Sequence, residues 1–114
     1  MLQTRPELRV VAEVGDGLEA VQKAQELKPD LILLDIGLPT LNGLQAAKRI
    51  RQVAPDAAII FVTQQRDEDL VQAALSTGAR GYVLKTGAGR ELLPAVDAVL
   101  RGDHFVSPGA GGKR

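Results

Sequence analysis

The chain contains no cysteine. Disulfides and thiolate zinc sites are therefore excluded, and neither is needed, because 114 residues are enough for one domain with its own core. It also lacks any apolar run near membrane-spanning length and any charged-then-apolar leader, so a cytoplasmic location without membrane contact is expected. Neither charge is in excess, since Lys plus Arg and Asp plus Glu both number 14. With no basic stripe interleaved with aromatics, direct nucleic-acid contact by this chain is not expected. The charges read mostly as solvated helix faces.

What is present is an alternation of short β-branched runs with longer helical periods, the pattern of an α/β fold with parallel strands. Four runs read as strands: Val10 to Val14, Leu31 to Leu34, Ala58 to Val62 and Gly81 to Leu84. LILL and AIIFV are apolar at consecutive positions, so helices should cover both of their faces. Asp16 is placed to cap the first helix, with Glu19 at capping-box spacing and Pro29 beyond its end. Asn42 caps the second, along which Leu44, Ala47, Ile50 or Arg51 and Val53 recur before Pro55. EDLVQAALSTG closes on Gly78, a natural left-handed terminator. In RELLPAVDAVLRG, Leu92, Leu93, Val96, Val99 and Leu100 form the expected buried stripe, with a slight irregularity at Pro94. Met1 to Leu8 could form one or two helical turns. Gly102 to Arg114 has no periodicity and reads as a linker or tail.

The segment DLILLDIGLPTLNG poses the chemical question, because a strand of fully buried type ends on a carboxylate, Asp35. Functional sites in open parallel sheets gather outside the carboxyl ends of the strands. Three polar residues occupy such ends: Asp35 after LILL, Thr63 after AIIFV and Lys85 after GYVL. Neighbouring strands lie roughly 5 Å apart, so the three can converge on one small anion. Singly, each has a plainer role, as turn former, β-favouring residue or snorkelling lysine. Their coincidence at equivalent places is the signal.

DLILLDIGLPTLNG, AIIFVTQQRDEDLVQAAL and GARGYVLKTGAGREL resemble the receiver domain of bacterial two-component response regulators, in the LuxR/NarL-type branch that carries a DNA-binding output domain. The resemblance runs from about Arg9 to about Pro108. It implies a flavodoxin-like (CheY-like) parallel sheet with helices on both faces. It makes Asp35 the phosphoacceptor from a sensor histidine kinase and Thr63 and Lys85 the groups that bind the phosphoryl oxygens. Thr63 and Tyr82 become the switch pair, and Mg²⁺ the family's cofactor, with Asp35 and the carbonyl of Gly37 among its ligands. These roles suit phosphoryl transfer, which depends more on charge stabilisation than on a strong base. The chain itself is expected not to be an enzyme. It is expected to form a homodimer, through the face built from EDLVQAAL, GYVL and ELLPAVDAVL or through exposed sheet edges.

The chain departs from the family at its start. The first and central strand, its acidic pair and most of the first helix are absent, and MLQTRPEL matches only the end of that helix. Residues 1–101 then correspond to a receiver domain shortened at its N-terminus, and 102–114 to a linker or tail toward an output domain not present here. A hard cation left with one carboxylate and one carbonyl should bind weakly. Glu13 and Asp16 are the nearby acids, and they fit strand-face and helix-cap roles better. Loss of the central strand should leave an unpaired edge, resolved by pairing with another chain or by RVVAEV moving into the gap. Retention of Asp35, Thr63 and Lys85 favours a shortened start over a decayed site.

Two other function classes compete with this reading. A phosphorylation-independent interaction domain would use the fold only as a scaffold. An aspartyl-phosphate phosphatase would need a second Asp two residues after Asp35, where Gly37 stands. SPGAGGKR lacks the Ser or Thr and the following helix of a phosphate-binding loop. GAGREL lacks the third glycine of a dinucleotide fingerprint, and His104 has no second ligand in sequence.

Overall fold

The computed structural model describes residues 10–11, 16–37 and 42–110. In chain order it contains β1 (Val10–Val11), α1 (Gly17–Leu27), β2 (Leu31–Leu34), α2 (Gly43–Val53), β3 (Ala58–Thr63), α3 (Glu68–Ser76), β4 (Gly81–Leu84), a 3₁₀ turn (Lys85–Gly87), α4 (Ala88–Leu100) and β5 (Phe105–Val106). All neighbouring strands pair in parallel, in the sheet order β1-β2-β3-β4-β5.

That order answers the question of the missing central strand. Val10 and Val11 pair directly with Leu31 and Ile32, so the described part of the first predicted strand lies beside LILL. The remainder of that predicted strand, the Met1 to Leu8 turns and Glu13 lie outside the described residues.

Consecutive apolar residues point to opposite faces, as the two-residue strand period requires. Ile32, Leu34, Ile59, Phe61, Tyr82 and Leu84 face a core closed by Ala20 and Ala24 of α1, Ala46, Ala47 and Ile50 of α2, and Val71 and Ala74 of α3. Leu31, Ile60 and Val83 face the other way, against Ala95 and Val99 of α4. Small alanines on the helix side let the helices approach closely, while the bulk comes from the strands. Phe61 and Tyr82 are fully buried, with ring centroids 6.5 Å apart and planes tilted by 49°. Each such side chain contributes about 1.5–3 kcal/mol through burial.

The helix signals hold at the N-termini. Asp16 accepts the Glu19 N–H at 2.7 Å. Asn42 and Gln45 form a reciprocal capping box, which satisfies two orphan amides at the mouth of the loop after Asp35. Gly78 ends α3 with φ +97°, and the Arg51 side chain packs so closely that a Cβ there would lie 2.6 Å from its Nε. Lys28 takes the left-handed conformation at the end of α1, φ 46°, and its ammonium bonds the Val53 carbonyl at the end of α2.

Three expectations are corrected. Leu93 is 75% exposed, because the buried stripe of α4 is rotated onto Ala95, Ala98 and Val99. The helix runs unbroken through Pro94, and the irregularity falls earlier, in the 3₁₀ turn before it. The stretch after Gly102 is not all tail, since Phe105–Val106 adds a fifth strand on β4 and Ser107 is buried.

Candidate functional site

β2, β3 and β4 lie side by side, and their C-terminal ends carry Asp35, Thr63 and Lys85. The register pairs Leu34 with Phe61 and Thr63 with Leu84, so the three polar residues stand at one edge of the sheet, with Thr63 on the middle strand. The edge forms where each apolar run stops and the chain turns into a helix.

Asp35 and Lys85 meet directly, with Lys85 Nζ 2.8 Å from Asp35 Oδ2. The other carboxylate oxygen, Oδ1, accepts the Gly37 N–H at 3.2 Å. Burial raises the Asp35 pKa, but the hydrogen bonds from Lys85 and the Gly37 N–H, the Lys85 charge and the Ile36 N–H outweigh it, and the net shift is downward. The carboxylate is thus held ionised and oriented while its side chain stays 35% exposed. Gly43 is required here because its N–H donates to the Ile36 carbonyl at 2.8 Å and a Cβ would lie 2.3 Å from the Asp35 main-chain oxygen.

Thr63 is buried, and its hydroxyl accepts the Gln65 N–H at 3.2 Å. Tyr82 is turned inward with no exposed surface, and its hydroxyl donates to the Gln65 carbonyl at 2.7 Å. Burial, then the negative charges of Asp67 and Asp35, push the phenol pKa above its ordinary value. The two expected switch residues are therefore joined through the main chain of one residue, Gln65, its N–H on one side and its carbonyl on the other. Sequence reading missed this link because a main-chain contact leaves no side-chain signature.

The geometry offers a partly exposed carboxylate beside a fixed ammonium. The cleft defined among the described residues, about 220 Å³ and lined by Asp30, Arg51, Asp56 and Arg80, lies at the opposite end of the sheet.

Whether the site suits a divalent cation depends on its donors. Among the described residues no group of three His, Cys, Asp or Glu is placed to hold a metal ion. Asp35 supplies one carboxylate already engaged by Lys85, and Gly37 supplies a carbonyl at an exposed position. Mg²⁺ is ordinarily held by one or two carboxylates together with waters and substrate oxygens, so these two groups among the described residues make only a partial shell for it.

A parallel α/β sheet with Asp, Thr and Lys on three adjacent strand ends is the arrangement of a CheY-like receiver fold. The chain belongs to the response regulator receiver domain family, whose model matches residues 1–97. It is 38% identical over 108 residues to the transcriptional regulatory protein LnrK of Bacillus subtilis (strain 168), covering 95% of this chain and 49% of that one. It is 35% identical to the oxygen regulatory protein NreC of Staphylococcus carnosus (strain TM300), covering 95% and 50%. A crystal structure of a LuxR-family two-component response regulator from Aurantimonas sp. SI85-9A1 superposes with a TM-score of 0.81 at 36% identity, covering 94% of this chain and 76% of that one. The chain spans about half the length of the curated relatives it matches. No helix among the described residues is long and apolar enough to cross a membrane.

Proposed function

We propose that this chain is a phosphorylation-switched receiver module in which Asp35 accepts a phosphoryl group from the phosphohistidine of a sensor kinase. An Asp35 carboxylate oxygen attacks phosphorus, the P–N bond breaks, and the electron pair returns to the imidazole. Lys85 neutralises one phosphoryl oxygen and Thr63 donates its hydroxyl proton to another. The observation that carries this reading is the 2.8 Å Lys85–Asp35 pair on an exposed strand end. Movement of Thr63 toward the phosphoryl group withdraws its oxygen from the Gln65 N–H, and the Gln65 carbonyl that holds Tyr82 moves with it. The readout goes to an output domain that regulates transcription, a reading supported by the name of one relative, a transcriptional regulatory protein. Mg²⁺ serves receiver domains generally, and no step here is routed through it.

A second reading is a receiver-like interaction or dimerisation domain that works without phosphorylation; the metal donors among the described residues, one carboxylate and one carbonyl, are compatible with it. Incubation with acetyl phosphate, followed by intact mass measurement, separates the two. The first reading expects a gain of one phosphoryl group that Asp35→Asn abolishes. No gain, in this chain or in a version extended upstream, would leave only the second.

A further inference from the structure

The ladder between β4 and β5 ends in an unusual way. Phe105 N–H donates to the Arg80 carbonyl and Ser107 N–H to the Tyr82 carbonyl, each at 2.9 Å. The next rung of a parallel ladder would bring the Leu84 N–H onto the main-chain carbonyl of Ser107. Instead that N–H donates to the Ser107 hydroxyl at 3.0 Å, while the Ser107 carbonyl accepts the Ala110 N–H at 3.0 Å. The side chain replaces the missing rung, which lets the chain turn away at Pro108 without orphaning a buried amide.

The Ser107 hydroxyl has a second partner. It donates to Glu91 Oε1 from the first turn of α4. The same carboxylate lies against the 3₁₀ turn, since a Cβ on Gly87 would meet its Oε2 at 2.9 Å. Leu84 immediately precedes Lys85, which opens this turn, and Lys85 is the residue that holds Asp35. Ser107 is 2% exposed, an uncommon place for a serine unless its bonds are needed.

We infer that Ser107 is a positioning residue that ties the segment leaving the domain to the strand end carrying Lys85, so that docking of residues 105–110 and the Asp35–Lys85 pair stabilise each other. The coupling is reciprocal, as any linkage between two sites must be. Loosening the segment frees Lys85, and releasing Lys85 from Asp35 frees the segment. The inference goes beyond phosphoryl acceptance at Asp35 and does not require it, because both ends are present in the unmodified chain.

The test uses the whole chain, with hydrogen exchange and an NMR titration of the Asp35 carboxyl. Ser107→Ala is expected to speed exchange of the Leu84 amide about tenfold, as loss of one buried hydrogen bond does, and to move the Asp35 pKa upward. Ser107→Thr, which keeps the hydroxyl, should restore both. Lys85→Met should in turn speed exchange of the Ser107 amide. Glu91→Ala, at a half-buried position, gives the same readouts should Ser107→Ala fail to fold. The inference is overturned if Glu91→Ala and Ser107→Ala leave the Asp35 titration unmoved. It is equally overturned if Val106→Ala, on the same strand but outside these bonds, moves it as far.

Discussion

Replacing Gly43 with alanine tests most sharply how the fold holds Asp35. The new Cβ would lie 2.3 Å from the Asp35 carbonyl oxygen, 2.8 Å from Ile36 Cα and 3.0 Å from the Asp35 carbonyl carbon. All three are main-chain atoms, so no rotamer change can relieve the contact. Either α2 withdraws, stretching the 2.8 Å bond from Gly43 N–H to the Ile36 carbonyl, or the backbone of Asp35 is displaced. Forced overpacking of this kind costs about 1–3 kcal/mol, and in a domain of this size each kcal/mol lowers Tm by about 4–8 °C. Gly37→Ala is the matched control. No described residue lies within 4 Å of a Cβ there, and the main-chain N–H that bonds Asp35 survives the change. Its stability should change by no more than about 0.5 kcal/mol. Thermal denaturation of the two variants beside the parent decides the matter. Equal stability of Gly43→Ala and the parent, or equal damage from both alanines, would refute the close-approach argument.

Three further outcomes are expected. Removing the Lys85 ammonium with Lys85→Met should raise the Asp35 pKa in an NMR titration. Because the folded-state pKa is depressed below the ordinary 3.8, the pair stabilises the fold above that pH, and the stabilisation is lost as pH falls through the folded value. Both groups are more than a third exposed, so the stability difference between parent and variant at neutral pH should not exceed about 1 kcal/mol and should vanish in strong acid. The Tyr82 phenol should ionise above 10.0 in an ultraviolet titration, and a midpoint at or below that value would contradict its burial beside Asp67 and Asp35. Asn42→Ala removes the capping box of α2 and should cost about 1 kcal/mol in urea unfolding, with no loss if the cap is unimportant.

The strands and helices were legible because their signals are local. LILL and AIIFV announce burial on both faces by their consecutive apolar residues, and Asp16, Asn42 and Gly78 mark helix ends by side-chain chemistry. The gathering of Asp35, Thr63 and Lys85 followed from parallel topology alone, since sites collect at strand carboxyl ends. β5 was hidden because its two residues sit among glycines and prolines, and a two-residue strand has no periodicity to detect. The rotation of α4 was missed because alanines, not leucines, fit the narrow space against Leu31, Ile60 and Val83. The Gln65 bridge and the Ser107 side-chain rung depend on main-chain atoms, which every residue carries and no pattern of side chains reports.

The central claim is that Asp35 is the residue that takes up the phosphoryl group. Borohydride reduction of an aspartyl phosphate leaves homoserine, which peptide mass mapping can locate. After acetyl phosphate treatment and reduction, homoserine is expected at position 35 and nowhere else. Homoserine at another aspartate, or none in this chain and in a version extended upstream, would contradict the account.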